Sequence, residues 1–312
     1  DWQSLPGDAG SYIISFYPDT TRSEHPRRTL LTVEPPYALE DSRWFAAGLG
    51  AYWKFNETEG STLADSSGNG FHMDISTQLK SGRLALNQPG INASKALGSL
   101  AITNAGVAFF LKNSNPELLT GLPEAYHPLV NGPTRLLHPF AFSIWFKPGN
   151  PFSREGLLLN FPGAFAVAVR PHSADKGLVC ARLANSTGDL LACTPTNITA
   201  GAWHHLAAVY DGVSAKLFVD GQSAAEDPFG QITGWVPGQL IYVGGGGASW
   251  GGFEGDLDEL VIWNRALTGA EITRVYEMQR IGIEPPGCPL PPTSLNLAIT
   301  QEGDVTLHWT DT

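Results

Sequence analysis

Charge is what this chain has least of. Only 16% of its 312 residues are Asp, Glu, Lys or Arg, against roughly a quarter in an ordinary globular chain. Basic residues are the scarcer kind: 19 Lys and Arg stand against 30 Asp and Glu, for a net charge of −11. The densest basic cluster is Arg27-Arg28. Tracking phosphates takes a basic stripe, so nucleic acid is excluded as a natural partner. No run approaches about 18 consecutive apolar residues, so no membrane-spanning helix is expected. The glycine run Gly244–Gly247 has no Lys-Ser/Thr after it, which excludes a phosphate loop, and no Cys-x-x-Cys or His-x-x-x-His pair offers zinc a site. No leader-like segment precedes the first strand signal, and the chain opens at Asp1 as a processed or excised chain does.

Glycine and proline are abundant instead, at 35 and 23 residues. Many short strands joined by tight turns suit that balance better than helices do. Phe140, Phe142, Ile144 and Phe146 alternate with Ala141, Ser143, Trp145 and Lys147, the two-residue period of a strand. Residues 157–161, 164–170, 206–210, 216–220 and 240–244 read likewise, and Asp211-Gly212 and Asp220-Gly221 mark turns. One helix is expected. Thr268 and Glu271 form a capping box, Leu267 and Ile272 a hydrophobic staple, and the helix ends near Arg280.

The chain divides into four parts. Residues 1–44 hold two strand signals, 11–17 and 29–35, like the closing hairpin of a β-sandwich, with Pro35-Pro36 stopping the second. Residues 45–280 form the large domain, in which 86–137, rich in Asn, Pro and Gly, is expected to be long loops. Residues 281–294 are a proline-rich spacer. In 295–312, Leu295, Leu297 and Ile299 alternate, as do Val305, Leu307 and Trp309. Two strands do not make a stable sandwich alone. The end segments are therefore expected to complete sheets with each other or with neighbouring subunits, giving a head-to-tail fibre.

Four phrases carry a resemblance. Residues 52–72 (YWKFNETEGSTLADSSGNGFH), 140–149 (FAFSIWFKPG), 203–221 (WHHLAAVYDGVSAKLFVDG) and 253–272 (FEGDLDELVIWNRALTGAEI), in this order, resemble the laminin-G-like, concanavalin A-type jelly-roll domain. The resemblance implies an all-β jelly-roll sandwich with one short C-terminal helix. It implies an extracellular binding or building module rather than an enzyme. Residues 295–312 resemble the first two strands of a fibronectin type III domain, whose second strand usually carries a buried Trp.

The family often binds calcium through loop oxygens, and calcium takes six to eight of them. Asp65 and Asn69 lie in a turn-rich loop, and Asp258 opens a late strand that in this fold lies beside the first. These three are the candidate calcium ligands, although Asp65 and Asn69 equally suit turn hydrogen bonds. Glu254 to Glu259 matches the acid motif of some glycoside hydrolases on this fold, but plain alternation puts Glu259 opposite Glu254, Asp256 and Asp258. Residues 247–251 match a nucleophile-elbow pattern but lack its strand-turn-helix setting. Trp250 on that loop is a candidate ligand-stacking aromatic, with burial as the alternative. His204 and His205 are adjacent in a strand and face opposite ways, so they do not share a metal.

Cys180 and Cys193 flank a polar turn, so folding the segment as a hairpin pairs them; the expected outcome is a disulfide, the alternative two buried thiols. Cys288 is left free or intermolecular. Asn56, Asn92, Asn185 and Asn197 each open an Asn-x-Ser/Thr sequon, with Asn185 at a hairpin tip. Together these features indicate an extracellular glycoprotein that mediates adhesion or builds structure through protein or glycan contacts. The alternatives are a carbohydrate-binding module serving a secreted enzyme and, more remotely, a hydrolase on the same fold.

Overall fold

The computed structural model describes residues 10–16, 27–33, 43–92, 98–102, 109–112, 139–152, 154–161, 165–185, 188–195, 198–212, 214–227, 240–245, 251–283, 294–299 and 305–310. Two antiparallel sheets face each other. The eight-stranded sheet runs β17 (Gln222–Asp227), β16 (Ala215–Val219), β15 (His204–Tyr210), β9 (Phe140–Pro148), β19 (Gly255–Trp263), β7 (Gly98–Ile102) and β6 (Leu84–Pro89), with β3 (Leu49–Trp53) also paired to β19. The seven-stranded sheet runs β13 (Gly188–Cys193), β12 (Lys176–Asn185), β11 (Phe165–Pro171), β10 (Gly156–Phe161), β18 (Leu240–Val243) and β8 (Phe109–Lys112), with β14 (Ile198–Thr199) beside β12. A small hairpin, β4 (Thr62–Leu63) and β5 (Met73–Asp74), closes one corner.

The alternation read from the sequence builds the core between these sheets. Phe140, Phe142, Ile144 and Phe146 of β9 point inward, as do Leu206, Ala208 and Tyr210 of β15 and Leu257, Leu260 and Ile262 of β19. They meet Phe165, Val167, Val169 and Val179 from the other sheet. Each fully buried Phe or Leu removes apolar surface worth about 1.5–3 kcal/mol.

A second core lies on the outer face of the eight-stranded sheet. Helices α1 (Arg43–Ala46) and α3 (Gly269–Arg280) cover it, while α2 (Ser76–Lys80) packs near β6. Trp44 and Phe45 join Tyr52, Ala207, Val209, Val261 and Trp263 from the sheet and Ile272, Val275 and Met278 from α3. The helix begins as its sequence dictates. The Thr268 side chain accepts from the Glu271 N–H, while the Glu271 carboxylate accepts from the Thr268 N–H at 2.7 Å. That carboxylate also forms a fork with Arg265, at 2.6 and 3.1 Å, and the same guanidinium donates to the carbonyls of Ala47 and Trp44. Arg265 and Glu271 are 3% and 1% exposed. One buried pair thus ties α1, the 264–268 turn and α3 together.

One sequence expectation changes. The 86–137 stretch is not loop throughout, because it supplies β7 to one sheet and β8 to the other. In β7, Leu100 and Ile102 alternate into the core, but five residues among Asn, Pro and Gly are too few to show that period in the sequence. The end segments form two separate hairpins, β1 (Gly10–Phe16) with β2 (Arg27–Val33) and β20 (Ser294–Ile299) with β21 (Val305–Thr310). Among the described residues, neither two-stranded sheet is strand-paired to the other or to the two large sheets. The β20–β21 register pairs Leu295 with Trp309, Leu297 with Leu307 and Ile299 with Val305.

Candidate binding surface

The calcium candidates do not converge. Asp65 is 7% exposed, and its two carboxylate oxygens accept from four donors: the N–H groups of Tyr52, Ser67 and Phe71 and the Ser67 hydroxyl, at 2.8–3.0 Å. Asn69 turns its NH2 to the carbonyls of Leu49 and Gly50. Asn69 pins the loop to the start of β3 and Asp65 to its end, and a cation would have to displace N–H and O–H donors to reach Asp65. Asp258 shares no partner with them; its Oδ2 accepts from the Ile91 N–H at 3.1 Å. Among the described residues, no three acidic, His or Cys side chains are grouped to hold a metal. Asp65, Asn69 and Asp258 therefore do not fit a shared calcium site.

The acid motif is arranged differently from plain alternation. The β19 register shifts between Asp258 and Val261, a β-bulge, and Glu259 adopts φ +52°. The bulge adds one residue to the strand, so Asp258 and Glu259 both face outward instead of taking opposite sides. Glu259 Oε2 accepts from the Tyr52 hydroxyl and lies 3.5 Å from Gln279 Nε2 of α3. Asp258 and Glu259 are only 2% and 9% exposed. Burial first, then the neighbouring Glu259 charge, raises the Asp258 pKa well above the carboxylate range, against the pull of the Ile91 N–H.

This buried polar layer continues across three strands. His205 lies directly opposite Trp145, and Trp145 opposite Asp258. Trp145 stacks on Tyr276 of α3 at 5.4 Å and donates its indole N–H to Gln279 Oε1 at 2.9 Å. The rings of Trp145 and Tyr276 lie 5.3 and 5.8 Å from His205. His205 is fully buried with neither ring nitrogen hydrogen-bonded, and burial lowers its pKa to about 3. His204 points the other way, with Nδ1 on Asp220 at 3.0 Å and Nε2 accepting from the Thr199 N–H.

One residue pair further along the same face, the layer opens to solvent. Lys147 lies opposite Asp256 and is ion-paired with it, and its ammonium sits 5.4 Å from the Trp203 ring centroid. Glu254 pairs with Arg154 at 3.7 Å and Glu155 with Arg170 at 2.6 Å. The backbone here is tightly nested. A Cβ on Gly255 would meet the Lys147 carbonyl at 2.1 Å, and one on Gly156 the Phe253 Cα at 2.6 Å. Gly149 N–H donates to the Glu254 carbonyl at 2.9 Å and Leu157 N–H to that of Gly251 at 3.0 Å. Gly149, Phe152, Arg154, Phe253 and Glu254 line a shallow open depression. Sequence reasoning missed this rim because its pairs join residues from three separate segments.

The remaining site residues divide into those in place and those outside the described residues. Cys180 and Cys193 are directly paired across β12 and β13 and form a disulfide, with Cα atoms 4.1 Å apart. Asn185 ends β12 opposite Gly188, at the hairpin turn. Asn92 is 9% exposed, and its Nδ2, the atom a glycan would take, donates to the Gln279 carbonyl at 2.6 Å. As placed, Asn92 anchors α3 and does not fit a glycan site. Asn56 is half-buried. Trp250, Cys288 and Asn197 lie outside the described residues.

The family model described as concanavalin A-like lectin/glucanases superfamily, of laminin-G type, matches residues 125–273. That span takes in β9 through β19 and the start of α3. The fold is a concanavalin A-like β-sandwich with one short C-terminal helix. No curated protein sequence matches the chain. Among solved structures, the receptor binding domain of botulinum neurotoxin D is similar at 12% identity with a TM-score of 0.52, over 74% of this chain and 53% of that one. The binding domain of Paraclostridial Mosquitocidal Protein 1 matches at 13% identity and TM-score 0.50, over 84% and 63%. Domain 4 of the arabinanase AbnA from Geobacillus stearothermophilus matches at 17% identity and TM-score 0.47, over 73% and 98%.

Proposed function

We propose that this chain is a non-catalytic extracellular binding domain that makes protein or glycan contacts within a larger adhesive or structural assembly. The family description spans lectins and glucanases, and the sealing of the acidic pair favours the first. A glycosidase needs two carboxyl groups flanking an open sugar cleft. Asp258 and Glu259 instead lie beneath α3, held by Ile91, Tyr52 and Gln279, while Glu254 sits outside at the rim on Arg154. The disulfide supports an oxidising compartment, and among the described residues no helix is long and apolar enough to cross a membrane.

The test is a reducing-sugar assay of the purified chain on β-glucan, xylan and arabinan, beside Glu259→Gln, with pull-down on the same immobilised polysaccharides and on extracellular matrix. Retention without sugar release is expected. Sugar release by the wild-type chain that Glu259→Gln abolishes would overturn the reading.

A further inference from the structure

We infer that Asn69-Gly70 is a deamidation site, and that loss of the Asn69 amide is a one-way switch that undocks the 65–72 loop from the start of β3. An asparagine followed by glycine reacts within its own chain. The backbone nitrogen of the glycine attacks Cγ of the asparagine, the side-chain NH2 leaves as ammonia, and water opens the five-membered imide to aspartate or isoaspartate. Nothing is oxidised or reduced, and solvent water is the one co-reactant. The step needs an uncrowded attacking nitrogen in reach of water. Gly70 is exposed at φ +79°, and a Cβ built on it meets no atom within 4 Å. Among the described residues its N–H donates to no acceptor. Asn69 is itself an exposed residue, so water reaches the imide.

The group that leaves is the group that fastens the loop. Asn69 Nδ2 donates to the Leu49 carbonyl at 3.0 Å and to the Gly50 carbonyl at 2.9 Å. Both acceptors belong to buried residues that open β3. A primary amide has two protons to give and spends both there, whereas a carboxylate has none. Deamidation therefore turns two hydrogen bonds into a negative oxygen facing two carbonyl oxygens. Isoaspartate adds a further carbon to the main chain of the turn. The Ser67 hydroxyl also reaches the Gly50 carbonyl, but at 3.4 Å it is a weak substitute. Asp65 keeps its hold on the Tyr52 N–H at the far end of β3, so the loop comes away from the Asn69 end first. The same two bonds govern the rate. They hold Cγ and the departing NH2 in place, so the folded chain reacts more slowly than the unfolded one while the open Gly70 nitrogen keeps the reaction possible.

The experiment is incubation of the full chain at pH 8.5 and 37 °C for four weeks, folded and in 8 M urea, with peptide mass mapping to read exchange of NH2 for OH at each Asn. Asn131-Gly132, the same dipeptide outside the described residues, is the internal comparator. In urea the two sites should convert within about twofold of one another. In the folded chain Asn69 should convert at least about fivefold more slowly than in urea, and measurably. Amide exchange at Ser67 and Phe71, whose N–H groups are held by Asp65, should then quicken about tenfold in the converted protein and in Asn69→Asp. Asn69→Ala, which removes the two bonds without adding a charge, should quicken it less, and exchange in β10 and β11 should stay unchanged in both variants. No conversion of Asn69 in the folded chain while the urea sample converts fully would overturn the inference. So would Asn69→Asp exchanging no faster than Asn69→Ala.

Discussion

His205 gives the sharpest prediction about what holds this domain together under acid. Its imidazole is fully buried against the stacked rings of Trp145 and Tyr276, without a hydrogen bond at either nitrogen. Burial therefore favours the neutral form and lowers the pKa from 6.5 to about 3, and the Asp220 carboxylate offsets this only in part. The unfolded chain takes up the proton near pH 6.5 while the folded chain refuses it until about pH 3. Stability from this group is whole above pH 6.5 and drains away as pH falls through that window. At about 1.4 kcal/mol per unit, the limiting loss is about 5 kcal/mol, of which about 2 kcal/mol appears between pH 7.5 and 5.

The comparison is His205→Phe against wild type. Phenylalanine keeps a ring against Trp145 and Tyr276 and removes two unpartnered nitrogens, so at pH 7.5 the variant should match or exceed wild type. Asp258 acts in the opposite sense. Its raised folded pKa means that acid relieves it, since the folded state binds the proton where the unfolded chain does not. The variant carries the same Asp258, so the difference between the two proteins isolates His205. Urea unfolding at pH 7.5, 6.5, 5.5 and 5 should show wild type losing about 2 kcal/mol more than the variant over that range. Parallel stability curves across the range would refute a buried, neutral His205.

Other residues make independent tests. Glu271→Ala strands the Arg265 guanidinium under α1 and should cost about 3–5 kcal/mol in urea unfolding, whereas Thr268→Ala, which removes only the cap, should cost about 1 kcal/mol. Replacing Cys180 and Cys193 together with serine opens a loop with a sequence separation of 13, which should lower stability by about 3 kcal/mol; reductant should then move wild type but not the variant. Peptide mapping of folded protein secreted from a eukaryotic host should find Asn92 bare, because its amide nitrogen is spent on the Gln279 carbonyl. An occupied Asn92 in folded protein would mean that α3 is not anchored there.

What was legible in the sequence followed from periodicity and local chemistry. Phe140 to Phe146 announced a strand with one apolar face, and Thr268 with Glu271 announced where α3 begins, because both signals lie within a few residues. The Cys180–Cys193 pairing followed from the hairpin between them. The bulge at Glu259 was not legible: alternation is the default of a strand, and nothing local to residues 254–259 records that Tyr52 and Gln279, far away in the chain, reward a left-handed residue there. The same limit applied to Asp65, whose four donors come from β3 and its own loop. A loop rich in oxygen side chains looks alike in sequence whether those oxygens face a cation or the backbone.

The layering withdraws one outer face of the sandwich from solvent. A sandwich has two outer faces, and one of these is already covered by α1 and α3 over an apolar core continuous with the buried polar layer. That layer is expensive: a non-Gly residue at φ +52°, a carboxyl with one unpartnered oxygen and an unbonded imidazole lie within it. Such strain often marks an active site, yet here α3 closes over it through Trp145, Asn92 and Gln279. The groups best suited to chemistry are therefore withdrawn from solvent, and the same rows of side chains meet water only one pair further along, at Trp203, Lys147 and Asp256. If that account holds, Gln279→Ala should loosen the lower end of α3 and raise hydrogen exchange at Trp145 and Ile91 while leaving exchange in β10 and β11 unchanged. Unchanged protection at Trp145 and Ile91 would mean that Gln279 does not seal the layer.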